Sequence, residues 1–220
     1  MIKISELYYY PIKSCAGWRV DSAELTPTGF AHDREFVVAT PQGHFVTQRE
    51  LPRMALIRPK IAHNQLTLTA PTMSPISLPI TQQGKAQSVT VWRSTVQAID
   101  QGDGAAQWLS QFLKAELRLF TMQAGFTRKI NPAFAQAAND IVSFADGYSI
   151  LVIAQASLDN LNSKLAEPLP MTRFRPNIVV TGCDPHATDR WRHITIGDIP
   201  MTGAKPCARC AVTTVDPSTG

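Results

Sequence analysis

The chain has 220 residues, 44% of them apolar and 17% charged, and 21 Lys and Arg against 17 Asp and Glu leave a net charge of +4. This is ordinary globular material, long enough for one large core or two small ones, which excludes disorder and low complexity. The charge excess falls well short of the concentrated Lys/Arg stripe of a nucleic-acid binder, and no apolar run approaches the roughly 20 residues of a membrane span.

The opening MIKISELYYYPIKSCAG has no basic segment feeding an apolar one, so no secretory signal is read there. Cys occurs 4 times, too few for a disulfide scaffold, which predicts thiols in a reducing compartment, a bacterial cytoplasm or an organellar interior. Next come ISELYYYPIKS, WRVDSAELT, REFVVATPQGHFVTQ and MALIRPKIA, short segments rich in Val, Ile, Tyr and Phe and punctuated by Pro and Gly, as strands are. PQG between FVVAT and HFVTQ signals a hairpin. QLTLTAP, PISLPI and SVTVW continue the alternation at short intervals, predicting a small barrel or sandwich-like sheet.

DGAAQWLSQFLKAELRLF sets Trp108, Leu109, Phe112, Leu113, Ala115 and Leu117 largely on one side at helical spacing, predicting a core-packed helix with Asp103 as its cap. From Thr121 to about Asp140 the periodicity is lost, and FTRKINPAF reads as a connection. A boundary between two intimately packed β-rich parts falls there. GYSILVIAQ then reads as an apolar strand, and ASLDNLNSKLA as a short helix capped by Ser157 with Leu158, Leu161 and Leu165 on one face. RPNIVVTG, WRHITIGD and CAVTTVD read as further strands before the closing DPSTG turn.

KPCARCAVTTVD places Cys207 and Cys210 three apart before that last strand, and four readings compete. A structural zinc site needs four ligands, usually as two pairs, and Cys15, Cys183 and scattered histidines would have to complete it. A thioredoxin-like pair needs a helix N-terminus after the first thiol, whereas AVTTV reads as β. Two buried small hydrophobes at a strand start would need no ligand at all. The last reading is a lone thiolate ligand to a soft metal brought by an organic cofactor. It agrees with Lys13-Ser14, Asp33-Arg34 and Arg175-Pro176-Asn177, cationic and hydrogen-bonding groups at strand ends or turns, where the side chains of a barrel converge on one mouth.

Taken in order, YPIKSCAG, GFAHDREFVV, FVTQRELPRMALI, FADGYSILVIAQASLDNLN, RFRPNIVVTG and PCARCAVTTVDPSTG resemble the successive signatures of the MOSC family, in its branch with an N-terminal MOSC-associated β-barrel domain. The resemblance covers nearly all of the chain. It implies a mainly β, α+β fold with a few helices, in which a barrel-like domain over residues 1–122 packs on a MOSC β-barrel domain over residues 123–220 that is truncated at its C-terminus. It also implies a molybdenum cofactor shared between the two parts, with Cys210 as the single metal ligand and the catalytic residue and Cys207 as its neighbour. Lys13 and Ser14 match the family's phosphate- and pterin-contacting pair, Arg34 a cofactor-binding arginine, and Arg175 and Asn177 the RPN contacts. Gly147 and Tyr148 stand where some members have small hydroxyl residues, and Ala208 with Arg209 fills the loop before the ligand.

The implied activity is reduction of N-hydroxylated compounds (hydroxylamines, amidoximes, N-hydroxylated bases), the oxygen passing to molybdenum and two electrons and two protons releasing water. The alternative is a cofactor or sulfur carrier without reductase activity. The implied partners are a small-molecule substrate and an electron donor, either a separate flavin or haem protein or a [2Fe-2S] domain beyond these residues; neither nucleic acid nor membrane is among them. A pyridoxal phosphate label also travels with the family. His32 and Asp33, beside Arg34, are candidates for a proton relay, Cys15 and Cys183 for small-hydrophobe packing, and His186 and His193 are assigned no ligand role.

Overall fold

The computed structural model describes residues 1–133 and 135–220, a mainly β chain whose α-helices among the described residues are α1 (Asp103–Leu113) and α2 (Gln155–Asn162). The strand Phe36–Ala39, FVVA, is apolar at every position because both of its faces are covered. Phe36 and Val38 join one cluster with Ile12, Met54, Ile57, Leu68, Leu109 and Phe112; Val37 and Ala39 join another with Val89, Val91, Val96, Phe120 and Phe144. This strand heads an antiparallel sheet ordered Phe36–Ala39, Arg118–Met122, Ser94–Asp100, Ala86–Val91. The apolar stripe of α1 closes the first cluster, together with a three-stranded meander, Arg58–Ala62, Gln65–Thr69 and Ile76–Pro79.

A second four-stranded sheet joins distant parts of the chain. Lys3–Tyr9 lies antiparallel between Trp18–Val20 and Ile178–Thr181, with an irregularity between Ile4 and Glu6. Val152–Ala154 runs parallel to Ile178–Thr181, with α2 in the crossover between them. Along Ile178–Thr181 the side chains alternate as a pleat requires: Val179 packs with Tyr8, Tyr10, Leu158 and Met171, while Ile178 and Val180 pack with Phe30 and Ala154.

Several local expectations are corrected. CAVTTVD is not a strand: Ala211–Thr214 forms a 3-10 turn. Met54 to Leu56 of MALIRPKIA belong to a 3-10 turn, Pro52–Leu56, started by its proline, and only Arg58–Ala62 is strand. The α1 stripe ends early because Lys114 turns left-handed at φ 56°, so Leu117 leads into the next strand. Asp103 is the first residue of α1 rather than its cap, and its carboxylate accepts from Arg118 at 2.7 Å. Ser157 lies inside α2, and its hydroxyl accepts the His186 N–H at 2.8 Å; Leu165 lies beyond the helix and is exposed.

Within the stretch read as a connection, Arg128–Lys129 pairs with Ile141–Val142, and Phe134, at the end of FTRKINPAF, lies outside the described residues. The PQG hairpin forms, with Gly43 at φ 86° and a Cβ there only 2.3 Å from the Ser88 carbonyl. Among the described residues no helix is long and apolar enough to cross a membrane.

Candidate functional site

After the first strand, Pro11 breaks the ladder and the chain turns through Ser14 at φ 68°. Lys13 N–H bonds to Phe36 O at 2.9 Å and Ala16 N–H to Ile57 O at 2.9 Å, which fixes the turn against the first core. Lys13 is buried, and its ammonium donates to Phe144 O at 2.9 Å and to the Asp146 carboxylate. Burial pulls Lys13 down to about 8, against the opposing pull of Asp146. Desolvation raises Asp146, but the Lys13 ammonium and the Trp92 indole N–H, 2.8 Å away, outweigh it and bring the carboxyl to about 2.

Arg34 is held in the left-handed region, φ 49°, by its N–H to Tyr10 O at 2.7 Å. Its guanidinium donates to the Asp33 carboxylate, to Asn177 Oδ1 at 3.1 Å and to Arg175 O at 3.3 Å. Asp33 is buried, and its other oxygen accepts Tyr10 N–H at 2.8 Å. Asn177 is buried too: Oδ1 also accepts Leu151 N–H at 3.2 Å, and Nδ2 donates to Tyr8 O at 3.2 Å. Arg175, left-handed at φ 55°, ends the 3-10 turn Met171–Phe174 and donates to Cys15 O at 2.6 Å.

The guanidinium groups of Arg34 and Arg175 each lie 4.3 Å from the centre of the Tyr10 ring. Burial, then the nearby Arg34 charge, lowers Arg175 to about 10, and burial pushes Tyr10 up to about 12. Arg175 Nη2 and the Tyr10 hydroxyl are buried without a hydrogen-bond partner among the described residues.

The turn carrying Cys210 is pinned beside these arginines. Arg173 donates to Thr214 O at 3.2 Å and to Asp216 at 2.8 Å. Arg209 donates to Phe174 O at 2.7 Å and to Cys207 Sγ at 3.0 Å, and Gln48 Nε2 donates to Val212 O at 3.1 Å. Cys207, Ala208, Arg209 and Cys210 are all exposed. Among the described residues no three His, Cys, Asp or Glu side chains gather as a metal site.

Hydrogen bonds and chain neighbours thus bring Lys13, Ser14, Arg34, Arg175, Asn177, Arg209 and Cys210 into one connected region. Gly147, exposed with open space where a Cβ would stand, and half-buried Tyr148 follow Asp146 at its edge. Cys15 is buried and Cys183 half-buried. His32 is exposed and pairs with Glu35 at 2.7 Å. His186 lies beside Ser157 of α2, and His193 begins the strand His193–Ile196, both outside this network.

Sequence reasoning missed Tyr10, Gln48, Trp92, Arg128 and Asp146. Arg128 donates to Ser143 O at 3.0 Å and to Asp146 O at 3.2 Å, and so shapes the segment that meets Lys13. Two signals were present: the acid directly before Gly147 in FADGYS, and a hairpin turn at VWRS without glycine. A polar cavity of about 470 Å³, lined by Lys85, Gln87, Asp100, Asp103 and Arg118, shares no residue with this region. Arg118 pairs with both Asp100 and Asp103.

Gly17 is part of the support. A Cβ there would meet Tyr10 Cε1 at 2.3 Å, and that ring is buried between fixed neighbours. Gly17→Ala is expected to lower the unfolding free energy by about 1–3 kcal/mol, the usual cost of overpacking. Denaturant unfolding checks it; an unchanged midpoint would mean that the ring can move aside.

A sequence profile described as the MOSC N-terminal beta barrel domain matches residues 1–116, and one described as the MOSC domain matches residues 139–219. Mitochondrial amidoxime reducing component 2 of Rattus norvegicus is 37% identical over 228 residues, covering 99% of this chain and 68% of that protein. Mitochondrial amidoxime-reducing component 1 of Mus musculus is 38% identical, covering 99% and 66%. The component 1 protein of Homo sapiens is 34% identical, covering 99% and 67%. The chain spans about two thirds of the length of these curated relatives.

Proposed function

The chain belongs to the MOSC family, and from that premise we propose that it is a molybdenum-cofactor-dependent enzyme reducing N-hydroxylated compounds, with Cys210 as the protein's ligand to the metal. The observation that carries this reading is an exposed thiol whose neighbour Arg209 is bonded to Phe174 O, next to the half-buried Arg175 and Arg34 and the buried Lys13. Arg175 Nη2, buried and without a partner, fits an anionic phosphate, which would form a charge-assisted hydrogen bond there. A single thiolate fits a soft metal whose other donors come with an organic cofactor. When bound, the cofactor would supply two-electron redox chemistry.

The chain's own residues divide the remaining work. Lys13, Ser14 and Arg175 anchor the anionic end, and Arg34 sits behind them. Asp33 and Asn177 act through Arg34, since their polar atoms are engaged in holding it and the strand Lys3–Tyr9. Gly147 and Tyr148, which follow Asp146, border the site, and Ala208 and Arg209 present Cys210. Substrates are hydroxylamines, amidoximes and N-hydroxylated bases; electrons come from a flavin or haem protein or a [2Fe-2S] domain, and the free cysteines suit a reducing, cytoplasmic setting.

The test is metal and pterin analysis of protein made in a host that synthesises the cofactor. Stoichiometric molybdenum is expected, falling about tenfold or more in Cys210→Ser and much less in Cys207→Ser. Zinc without pterin would overturn the reading. Reversibly bound cofactor, with no N-reduction by any artificial electron donor, would replace it with a carrier role.

A further inference from the structure

Trp92 and Arg93 form the two-residue turn between Ala86–Val91 and Ser94–Asp100, whose register pairs Ser94 with Val91. Such turns call for a residue at positive φ, and glycine adopts it without penalty. Here a tryptophan takes that place at φ 54° and leaves 44% of its surface exposed. A bulky apolar side chain that is backbone-strained and nearly half exposed runs against local preference. Strain kept at such a point marks a side chain held for use.

The indole is also held in place from several directions. Its N–H donates to Asp146 at 2.8 Å, Phe45 meets it edge-on with centroids 4.9 Å apart at 66°, and the Arg49 guanidinium lies 4.8 Å from its ring. Arg49 is itself fixed, because its Nε donates to Thr47 Oγ1 at 3.3 Å and the Thr47 N–H donates to Glu50 at 2.8 Å. These contacts link the ring to both ends of the site. Asp146 is shared with Lys13, and Gln48, next to Arg49, reaches Val212, two residues beyond Cys210.

We propose that Trp92 is a stacking surface for planar conjugated substrates at the mouth of this site, and so selects aryl amidoximes and N-hydroxylated heteroaromatic bases over small hydroxylamines. The inference rests on the reductase reading above. An aryl amidoxime has a flat face to lay on the indole, and a small hydroxylamine has none. Arg49, which lies over the ring, adds a cation that a conjugated, electron-rich face also attracts.

The test uses cofactor-loaded wild type, Trp92→Gly and Trp92→Phe, with benzamidoxime and hydroxylamine as probes. The ratio of kcat/KM for benzamidoxime to that for hydroxylamine is expected to fall about tenfold in Trp92→Gly and to be largely restored in Trp92→Phe. Independently of turnover, benzamidoxime should shift the Trp92 indole N–H resonance of the wild type, and hydroxylamine should not. An unchanged ratio in Trp92→Gly, or an indole resonance that ignores benzamidoxime, overturns the proposal. If the wild type reduces neither compound, the reductase reading fails, while the resonance still decides whether the indole binds planar ligands.

Discussion

Asp33→Ala is expected to lower the unfolding free energy by about 3–5 kcal/mol, the cost of leaving a buried charge without its partner. The Asp33 side chain is 2% exposed and Arg34 13%, so water cannot replace the lost carboxylate. The same substitution removes the acceptor for Tyr10 N–H at the end of the first strand. Asp33→Asn, which keeps an oxygen for that N–H but no charge, should fall between wild type and Asp33→Ala. Urea unfolding with an unchanged m-value measures the loss; a difference below about 1 kcal/mol would show that Arg34 finds other compensation. A proton-relay role for Asp33 would instead appear as a change in the pH profile of turnover at full stability.

Lys13→Met is expected to act in the opposite direction. Burial lowers Lys13 from its ordinary 10.5 to about 8, so between those pH values the unfolded chain holds a proton that the folded chain has released. Stability therefore rises with pH across that window, by up to about 3 kcal/mol, and the full penalty is present at pH 7. Asp146 keeps most of its side chain in water and its bond from the Trp92 indole, which limits the cost of losing Lys13, although both it and the Phe144 carbonyl lose a donor.

The variant should therefore be about 1–2 kcal/mol more stable than wild type at pH 7, an advantage that shrinks by pH 10, while cofactor retention falls sharply. Paired unfolding curves at the two pH values check the sign. A variant less stable than wild type at pH 7 would mean that the Asp146 and Phe144 contacts outweigh burial. For wild type, affinity for an anionic group should weaken above about pH 8, as the ammonium loses its proton.

Much of this side-chain cluster was legible because its charged and soft groups come in short runs. HDRE, RFRPN and CARC each place charged or soft side chains beside a turn, and the structure brings all three together. The run after Cys210 was misread, and the reason is specific. Val212, Thr213 and Thr214 are β-branched and favour strands, yet Gln48 and Arg173 hold the carbonyls of Val212 and Thr214 in a 3-10 turn. Asp103 and Ser157 were misplaced by only a few residues, since caps depend on backbone geometry that residue type only biases. Trp92 was passed over because alternation identified its flanking strands but not the sign of its φ.

Local residue patterning carried the strand-rich class, the apolar faces of FVVA and IVVT, the α1 stripe and the charged and thiol side chains that gather in the candidate site. These are local properties, written in alternation, turn residues and side-chain chemistry. Three features appear only in three dimensions: the first strand pairs with residues 178–181, Lys13 meets an acid 133 positions away, and Ser14, Arg34, Trp92 and Arg175 adopt left-handed backbones. Those choices follow from which surfaces are buried together, and close packing imposes them on residues whose own preferences lie elsewhere.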